Sequence, residues 1–244
     1  GMHDLKCFLN SPDVQFVAIC DVRKKSRLKV KETVDGFYGD TKCEMHDNPH
    51  EFLARKDTDA VLIATGDRWH IDLSNAIKRY GVVYQAGTQR RNIGNFILAA
   101  ELCESGRLGK LTTVHANTLA PGTSHKWLDS QELAEEGDAN WDEEAVDWDV
   151  WLGPCPWRPY NKRYIDGGWR GHFDFHGGGI LEWGSHTVDL CQWAAQKDHT
   201  MPSVYTPVGE THIHCTYDDG LKLVMRDTGW MGLGTCSARY EGED

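Results

Sequence analysis

The sequence predicts an α/β chain in two parts. A doubly wound parallel sheet comes first, and an α+β region with a largely antiparallel open sheet follows. Three observations carry this reading. Apolar runs alternate with segments of helical spacing from Val14 to Ala86. The composition shifts past Leu119, where Trp, Pro and Gly become frequent as far as Gly171. Asp218-Asp219-Gly220 then separates two short strand-like runs, which is the mark of a hairpin turn.

Taken in order, Met2–Leu9 has the pattern of a helix that follows a glycine at Gly1. Val14–Asp21 is an apolar run ending in an acid and predicts a buried parallel strand. Val22–Val34 has apolar positions at helical spacing, and Pro49–Arg55 predicts a short helix. Asp59–Thr65 predicts a second buried strand. Trp69–Tyr80 predicts a helix stopped by Gly81, and Val82–Ala86 a third strand. Asn92–Ser105 predicts a helix ending at Gly106, and Leu111–Leu119 another strand. Pro121–Gly171 reads as long loops with short helices; its acidic stretch from Glu132 to Asp149 suits a solvated face, and Trp148, Trp151 and Trp157 suit packing. Gly179–Ala195 predicts a helix, and Thr211–Tyr217 pairs with Leu221–Asp227 across the hairpin turn. The change of character places a domain boundary near Gly87, giving residues 1–87 and 88–244.

Composition narrows the function classes. The chain has 244 residues, with 26 Lys and Arg against 37 Asp and Glu, a net charge of −11. A nucleic-acid surface needs a basic face, so no nucleic-acid partner is expected. No apolar run approaches the roughly 20 residues of a membrane helix, so no membrane partner is expected. The start, Gly1-Met2-His3-Asp4, has no apolar signal core. Eight cysteines contain no C-x-x-C pair and read as reduced, mostly buried thiols, which suits the cytoplasm.

A dinucleotide site needs a glycine turn before a helix and an acid at the end of the next strand. Asp21 has the position of that acid. Its carboxylate suits both ribose hydroxyls of an adenosine and would repel a 2′-phosphate, favouring NAD over NADP. The other reading is that Asp21 caps the helix behind it. Gly1 lies about 20 residues upstream, the separation expected of a fingerprint glycine. No strand pattern is read ahead of it, so a Rossmann-like sheet without its first strand is expected in this chain.

Ala64-Thr65-Gly66-Asp67-Arg68-Trp69-His70 adds something more specific. It resembles the A-T-P-D-x-W-H loop of the Gfo/Idh/MocA oxidoreductases, the glucose–fructose oxidoreductase and inositol dehydrogenase family. Ala18-Ile19-Cys20-Asp21-Val22, Gly87-Thr88-Gln89-Arg90-Arg91 and Ser105-Gly106-Arg107-Leu108-Gly109-Lys110 resemble further family segments in the right order. So do Asp147–Pro154, Gly168-Trp169-Arg170-Gly171 and the run from Gly177 to His186. The family's Glu-Lys-Pro, whose lysine is its proposed proton donor, does not occur. Gly66 stands where Pro is usual, and Glu182 where Asp is usual. Relatives also continue past Asp244 through more sheet and helix. An incomplete chain is therefore expected, with both parts shortened.

The resemblance implies hydride transfer between NAD and a sugar, polyol or glycoside. It implies His186 and Glu182 as catalytic residues. It implies Gly1, Asp21, Thr65, Asp67, Trp69, His70, Trp169 and Arg170 at the cofactor, and Gln89, Arg90 and His172 at the substrate. The four-residue spacing would put Glu182 and His186 on one helix face; the pair also reads as an ordinary surface pair. A homo-oligomer through the C-terminal sheet is implied as well. Some relatives use transient oxidation to cleave glycosides, so a redox glycosidase is a second reading. A third is a non-catalytic relative. A fourth comes from the residues themselves: if His172–His176 is extended, His172, Asp174 and His176 face one side and suit zinc or iron, as in a metal-dependent hydrolase. His186 would then lie nearby, and His212 and His214 form a second one-sided pair. No metal is expected on the family reading.

Overall fold

The computed structural model describes residues 1–66, 68, 69, 75, 79, 83, 85–118, 127–230 and 236–243. The chain forms two compact units, each of two segments: Gly1–Ala76 with Trp127–Gly167, and Ile77–Lys126 with Gly168–Asp244.

In the first unit, α1 (Met2–Leu9) leads to β1 (Ala18–Cys20), α2 (Lys24–Tyr38) and β2 (Glu44–His46). The strands pair in parallel, Ile19 opposite Met45, with α2 as the crossover. Gly39 ends α2 at φ +70, a conformation glycine adopts without a side-chain clash. Asn48 caps α3 (Pro49–Leu53) by accepting the His50 N–H at 2.9 Å. Leu5, Leu9, Val34 and Cys43 form the core between α1 and the parallel pair.

The expected strand at Asp59–Thr65 is not formed. Those residues pair with no strand among the described residues, and Val61 and Leu62 are exposed. β1 pairs instead with β2, a short, mostly polar strand that hydrophobicity gave no reason to expect. Positions 69, 75 and 79 of the expected Trp69–Tyr80 helix are helical, and the rest lie outside the described residues. Of Val82–Ala86, residues 83, 85 and 86 are described and are not in a strand.

The 127–167 segment adds α5 (Trp141–Glu144) and α6 (Trp148–Leu152) to the first unit, numbered after the helix at 94–104 below. Asp147 caps α6 by accepting the Val150 N–H. Trp148 stacks on Trp151 at 4.7 Å and meets Tyr160 edge-on at 5.4 Å, a buried aromatic core. Trp157, expected to pack, is 65% exposed and lines an open cleft with Gln131, Asp149 and Tyr160.

The second unit is the larger α+β body. A 3-10 turn at Gln89–Asn92 precedes α4 (Gly94–Glu104). The sheet contains β3 (Leu111–Asn117), β4 (Val204–Val208), β5 (His212–Thr216), β6 (Lys222–Arg226) and β7 (Ala238–Gly242). Its order is β4-β5-β6-β3-β7, antiparallel except for β3 beside β6. The β5–β6 hairpin matches the expected one to within a residue at each end. The predicted Gly179–Ala195 helix is two helices, α7 (Gly178–Leu181) and α8 (Trp183–Ala194). Alternation along β3 buries Val114 and Ala116, which pack with Cys191 of α8 and with Cys215, Leu223 and Met225 of the neighbouring strands. All eight cysteines are free thiols; Cys43, Cys103, Cys191 and Cys215 are buried, and burial raises the pKa of each of these four. No helix among the described residues is long and apolar enough to cross a membrane.

Candidate functional site

The first unit holds the acid expected to meet a ribose. Asp21 follows β1, and its N–H still reaches the His46 carbonyl at 3.2 Å. One carboxylate oxygen, Oδ1, accepts the Arg23 N–H at 2.8 Å. The helix cap itself is Arg23, which makes no side-chain cap bond. Asp21 therefore shapes the turn into α2 with one oxygen and leaves Oδ2 without a protein partner among the described residues. Surrounding protein pushes the carboxyl above its ordinary 3.8, against the opposing pull of the Arg23 N–H and of the Arg23 and Arg27 charges. Solvent still reaches the residue.

Gly1 lies against the end of the 59–65 segment. A Cβ on Gly1 would stand 3.2 Å from the Ala64 Cβ, so a larger residue would push the start of α1 away from Thr65. Thr65 is exposed. Trp69 donates its ring N–H to the Val150 carbonyl at 3.2 Å, and its ring fills the space a Cβ on Gly153 would need. Arg68 lies flat over Trp151 at 3.7 Å and donates to the Trp151 carbonyl at 2.6 Å. Arg68 and Trp69 are thus docked on α6. Asp67 and His70 lie outside the described residues.

The second unit gathers the expected catalytic residues around one backbone break. Glu182, at φ −83 and ψ −92, separates α7 from α8. Helical spacing therefore does not relate Glu182 to His186, and the expected shared helix face is not formed. The Glu182 carboxylate turns instead to the 168–178 segment. Its Oε1 lies 3.3 Å from Arg170 Nε, and its Oε2 lies 3.5 Å from His176 Nε2. Arg170 in turn stacks over Trp169 at 4.6 Å, and Trp169 meets the His176 ring edge-on at 5.3 Å.

His186 sits in the first turn of α8, half-buried beside the Trp183 ring at 5.9 Å. Its imidazole has no hydrogen-bond partner among the described residues. Burial, then the Arg90 charge, pushes its pKa below 6.5, and Asp189 opposes them. Arg90 lies over the same Trp183 ring at 5.5 Å and keeps a buried Nε–H with no partner among the described residues. Gln89, one residue before, is exposed.

Three devices hold this arrangement. Gly184 brings α8 down onto the end of β3: a Cβ there would stand 3.0 Å from the Gly179 carbonyl and 3.2 Å from Thr118 Cγ2. The fully buried Thr187 hydroxyl donates to the Asn117 carbonyl at 2.7 Å. Arg91 then fastens the Gln89–Asn92 turn to α8 by donating to both Asp189 oxygens and to Asp198. His176 enters the sequence reading only as a candidate metal ligand, and Arg91 not as a site residue at all. Arg91 carried only its place in a matched segment, and His176 only the His172–His176 spacing.

The structure winds His172–His176 into a turn, not an extended strand. The Phe175 and His176 N–H groups both donate to the His172 carbonyl, at 2.9 Å each. His172, 3% exposed, faces inward against Phe175 at 5.1 Å. The premise that put His172, Asp174 and His176 on one side is removed. Among the described residues no three His, Cys, Asp or Glu side chains are grouped to hold a metal ion.

Comparison with known proteins places this geometry in a family. The model of an oxidoreductase family's C-terminal alpha/beta domain matches residues 99–230. Among solved structures the chain is similar to the WlbA dehydrogenase from Bordetella pertussis in complex with NADH and UDP-GlcNAcA. The identity is 16% and the TM-score 0.54, over 94% of this chain and 69% of that one. It is similar to GenD2 from gentamicin A biosynthesis in complex with NAD, at 14% identity and TM-score 0.54, over 98% and 66%. It is similar to myo-inositol 2-dehydrogenase from Lactobacillus plantarum, at 13% identity and TM-score 0.55, over 100% and 71%. These likenesses establish the fold, and the chain spans about two thirds of the length of those solved chains. No curated protein matches the chain. The family match covers more than half of the 244 residues and includes the helix break that carries Glu182 and His186: the chain belongs to the Gfo/Idh/MocA oxidoreductase family.

Proposed function

We propose that the protein is an NAD-dependent oxidoreductase acting on a CH–OH group of a sugar, polyol or glycoside. The observation that carries the reading is the break before α8, where an anchored carboxylate precedes an unengaged imidazole by four residues. Residues 1–87 serve the nucleotide and 88–244 the substrate in this reading.

The first unit's residues fit an adenosine ribose. Asp21 offers a free carboxylate oxygen, and Gly1 keeps the start of α1 close to the Ala64-Thr65 end, where Asp67, Trp69 and His70 follow in the sequence. NAD is favoured over NADP on two grounds. The carboxylate repels a 2′-phosphate, and the nearby cations are already engaged: Arg23 with Asp166 at 3.1 Å and Arg27 with the Asp21 carbonyl at 2.6 Å. NAD, when bound, supplies the two-electron acceptor or donor for the substrate carbon.

The chain's own residues handle the proton and the hydroxyls. His186 is neutral at neutral pH, because burial and Arg90 disfavour its charged form, so it can accept the substrate hydroxyl proton and return it in the reverse direction. Glu182, with an oxygen on each of Arg170 and His176, stays oriented as a hydrogen-bond acceptor for a neighbouring hydroxyl. The partnerless Nε–H of Arg90 and the exposed amide of Gln89 supply donors. Trp169 and Arg170 are assigned to the cofactor, and His172 supports the turn from within. We also propose that copies associate through the second sheet, whose edge strand β4 is exposed along its length.

The test is a spectrophotometric screen of NAD and NADP reduction against a panel of sugars, inositols and glycosides. His186→Ala is expected to lower kcat by about 100- to 10,000-fold, with NAD affinity kept within about twofold. Full activity in that variant rejects the assignment of His186.

A further inference from the structure

We propose that His176 is a positioning residue for Glu182, acting as a fixed neutral imidazole; this rests on the reading of Glu182 given above. Two backbone groups point at one ring nitrogen. The Gly171 N–H donates to His176 Nδ1 at 2.9 Å, and the Gly178 N–H donates to the same atom at 3.1 Å. An acceptor of two N–H groups carries no hydrogen of its own. The ring's single N–H is therefore on Nε2, and Nε2 is the atom 3.5 Å from Glu182 Oε2.

Both donors are glycines in the left-handed region, Gly171 at φ +74 and Gly178 at φ +68. Their backbone geometry thus selects the tautomer of His176. The ring is held on its other sides by burial, at 7% exposure, and by the edge-on contact with Trp169. At 3.5 Å the approach to Glu182 is a polar contact between an N–H and a carboxylate, longer than a formed hydrogen bond. It closes when a substrate draws the carboxylate into place, as catalytic contacts commonly do. Arg170 holds the other oxygen, so the two residues share the orientation of Glu182 between them. The G-W-R-G and G-G-G segments are joined through this one histidine.

The test combines a spectrum and two variants. Imidazole nitrogen NMR of the purified protein is expected to show His176 Nδ1 without a proton and Nε2 with one. Glu182→Gln is expected to move the Nε2 resonance and leave Nδ1 in place. His176→Asn keeps an oxygen where Nδ1 was, so the two glycine N–H groups remain satisfied, but it cannot reach Glu182. It is expected to fold with an unchanged melting temperature and to lose about tenfold in kcat with KM within about twofold. His176→Gln, whose amide reaches further, is expected to recover most of that loss. A proton on Nδ1, an Nε2 resonance indifferent to Glu182→Gln, or full kcat in His176→Asn overturns the proposal. The spectral arm needs no turnover. An absence of dehydrogenase activity in the unmodified protein therefore rejects the functional reading and leaves the His176 contact decided by the spectrum.

Discussion

Single side chains here have two duties, and substitutions can separate them. Asp21 both closes the turn into α2 and is assigned to a ribose. Asp21→Asn keeps an oxygen for the Arg23 N–H but removes the charge. We expect its melting temperature to hold while NAD affinity falls about tenfold, the worth of one charge-assisted hydrogen bond at its lower end. Equal NAD affinity in calorimetry, with a lowered melting temperature, would leave Asp21 as a turn former only. His186 gives a second separation through pH. Its folded pKa lies below 6.5, so the unfolded chain binds a proton first as pH falls. The stability tied to its neutral form is complete above 6.5 and is lost as pH drops through the folded value, at up to about 1.4 kcal/mol per pH unit. His115 acts in the same direction, lowered by burial against the pull of Glu241. His186→Gln should therefore lose less stability between pH 7 and 5.5 than the parent in urea unfolding. Identical losses would mean that His186 is as solvated in the folded state as in the unfolded one.

Helices, turns and strands divide by how local their signals are. The helices and the β5–β6 hairpin were legible because their periodicity and turn residues are written within a few positions. The strand expected at 59–65 was not, because an apolar run does not say which neighbour will complete its ladder; the strand that pairs with β1 is the mostly polar β2. The break at Glu182 was equally hidden. Beside it Gly184 packs α8 against Thr118, a contact between residues far apart in sequence. The candidate site was legible as residue identities through family motifs. Its wiring, with Glu182 on Arg170 and His176 and with Arg90 beside His186, was not, because it arises from a turn and a helix break. Arg91 is the fastening most exposed to test. Replacing it with alanine leaves Asp189, only 17% exposed at its side chain, without its guanidinium. We expect about 2 kcal/mol of lost stability from that unpaired carboxylate. Arg91→Lys should recover little, since one ammonium cannot serve Asp189 and Asp198 in the same forked geometry. Full recovery by lysine in thermal unfolding would show that charge alone, not the fork, fastens the turn.

At the scale of the whole molecule, charge and an open edge act against each other. Each copy carries −11, so approach between copies is opposed at low ionic strength. Yet β4 ends the sheet among the described residues, with all five of its residues exposed, Val204, Tyr205 and Val208 among them. An edge that long and apolar is usually covered, and association through the C-terminal sheet covers it. The two terms differ in their salt response: repulsion is screened over about 10 Å at 0.1 M salt, whereas apolar burial is not weakened. Sedimentation velocity should therefore show association rising from low salt to about 0.3 M. Tyr205→Glu adds a charge to the edge in every copy and should shift the distribution toward the monomer at each salt concentration, with the melting temperature of dilute protein unchanged. A distribution indifferent to both salt and Tyr205→Glu would place any oligomer contact away from β4, and the sheet edge would then be guarded by charge alone.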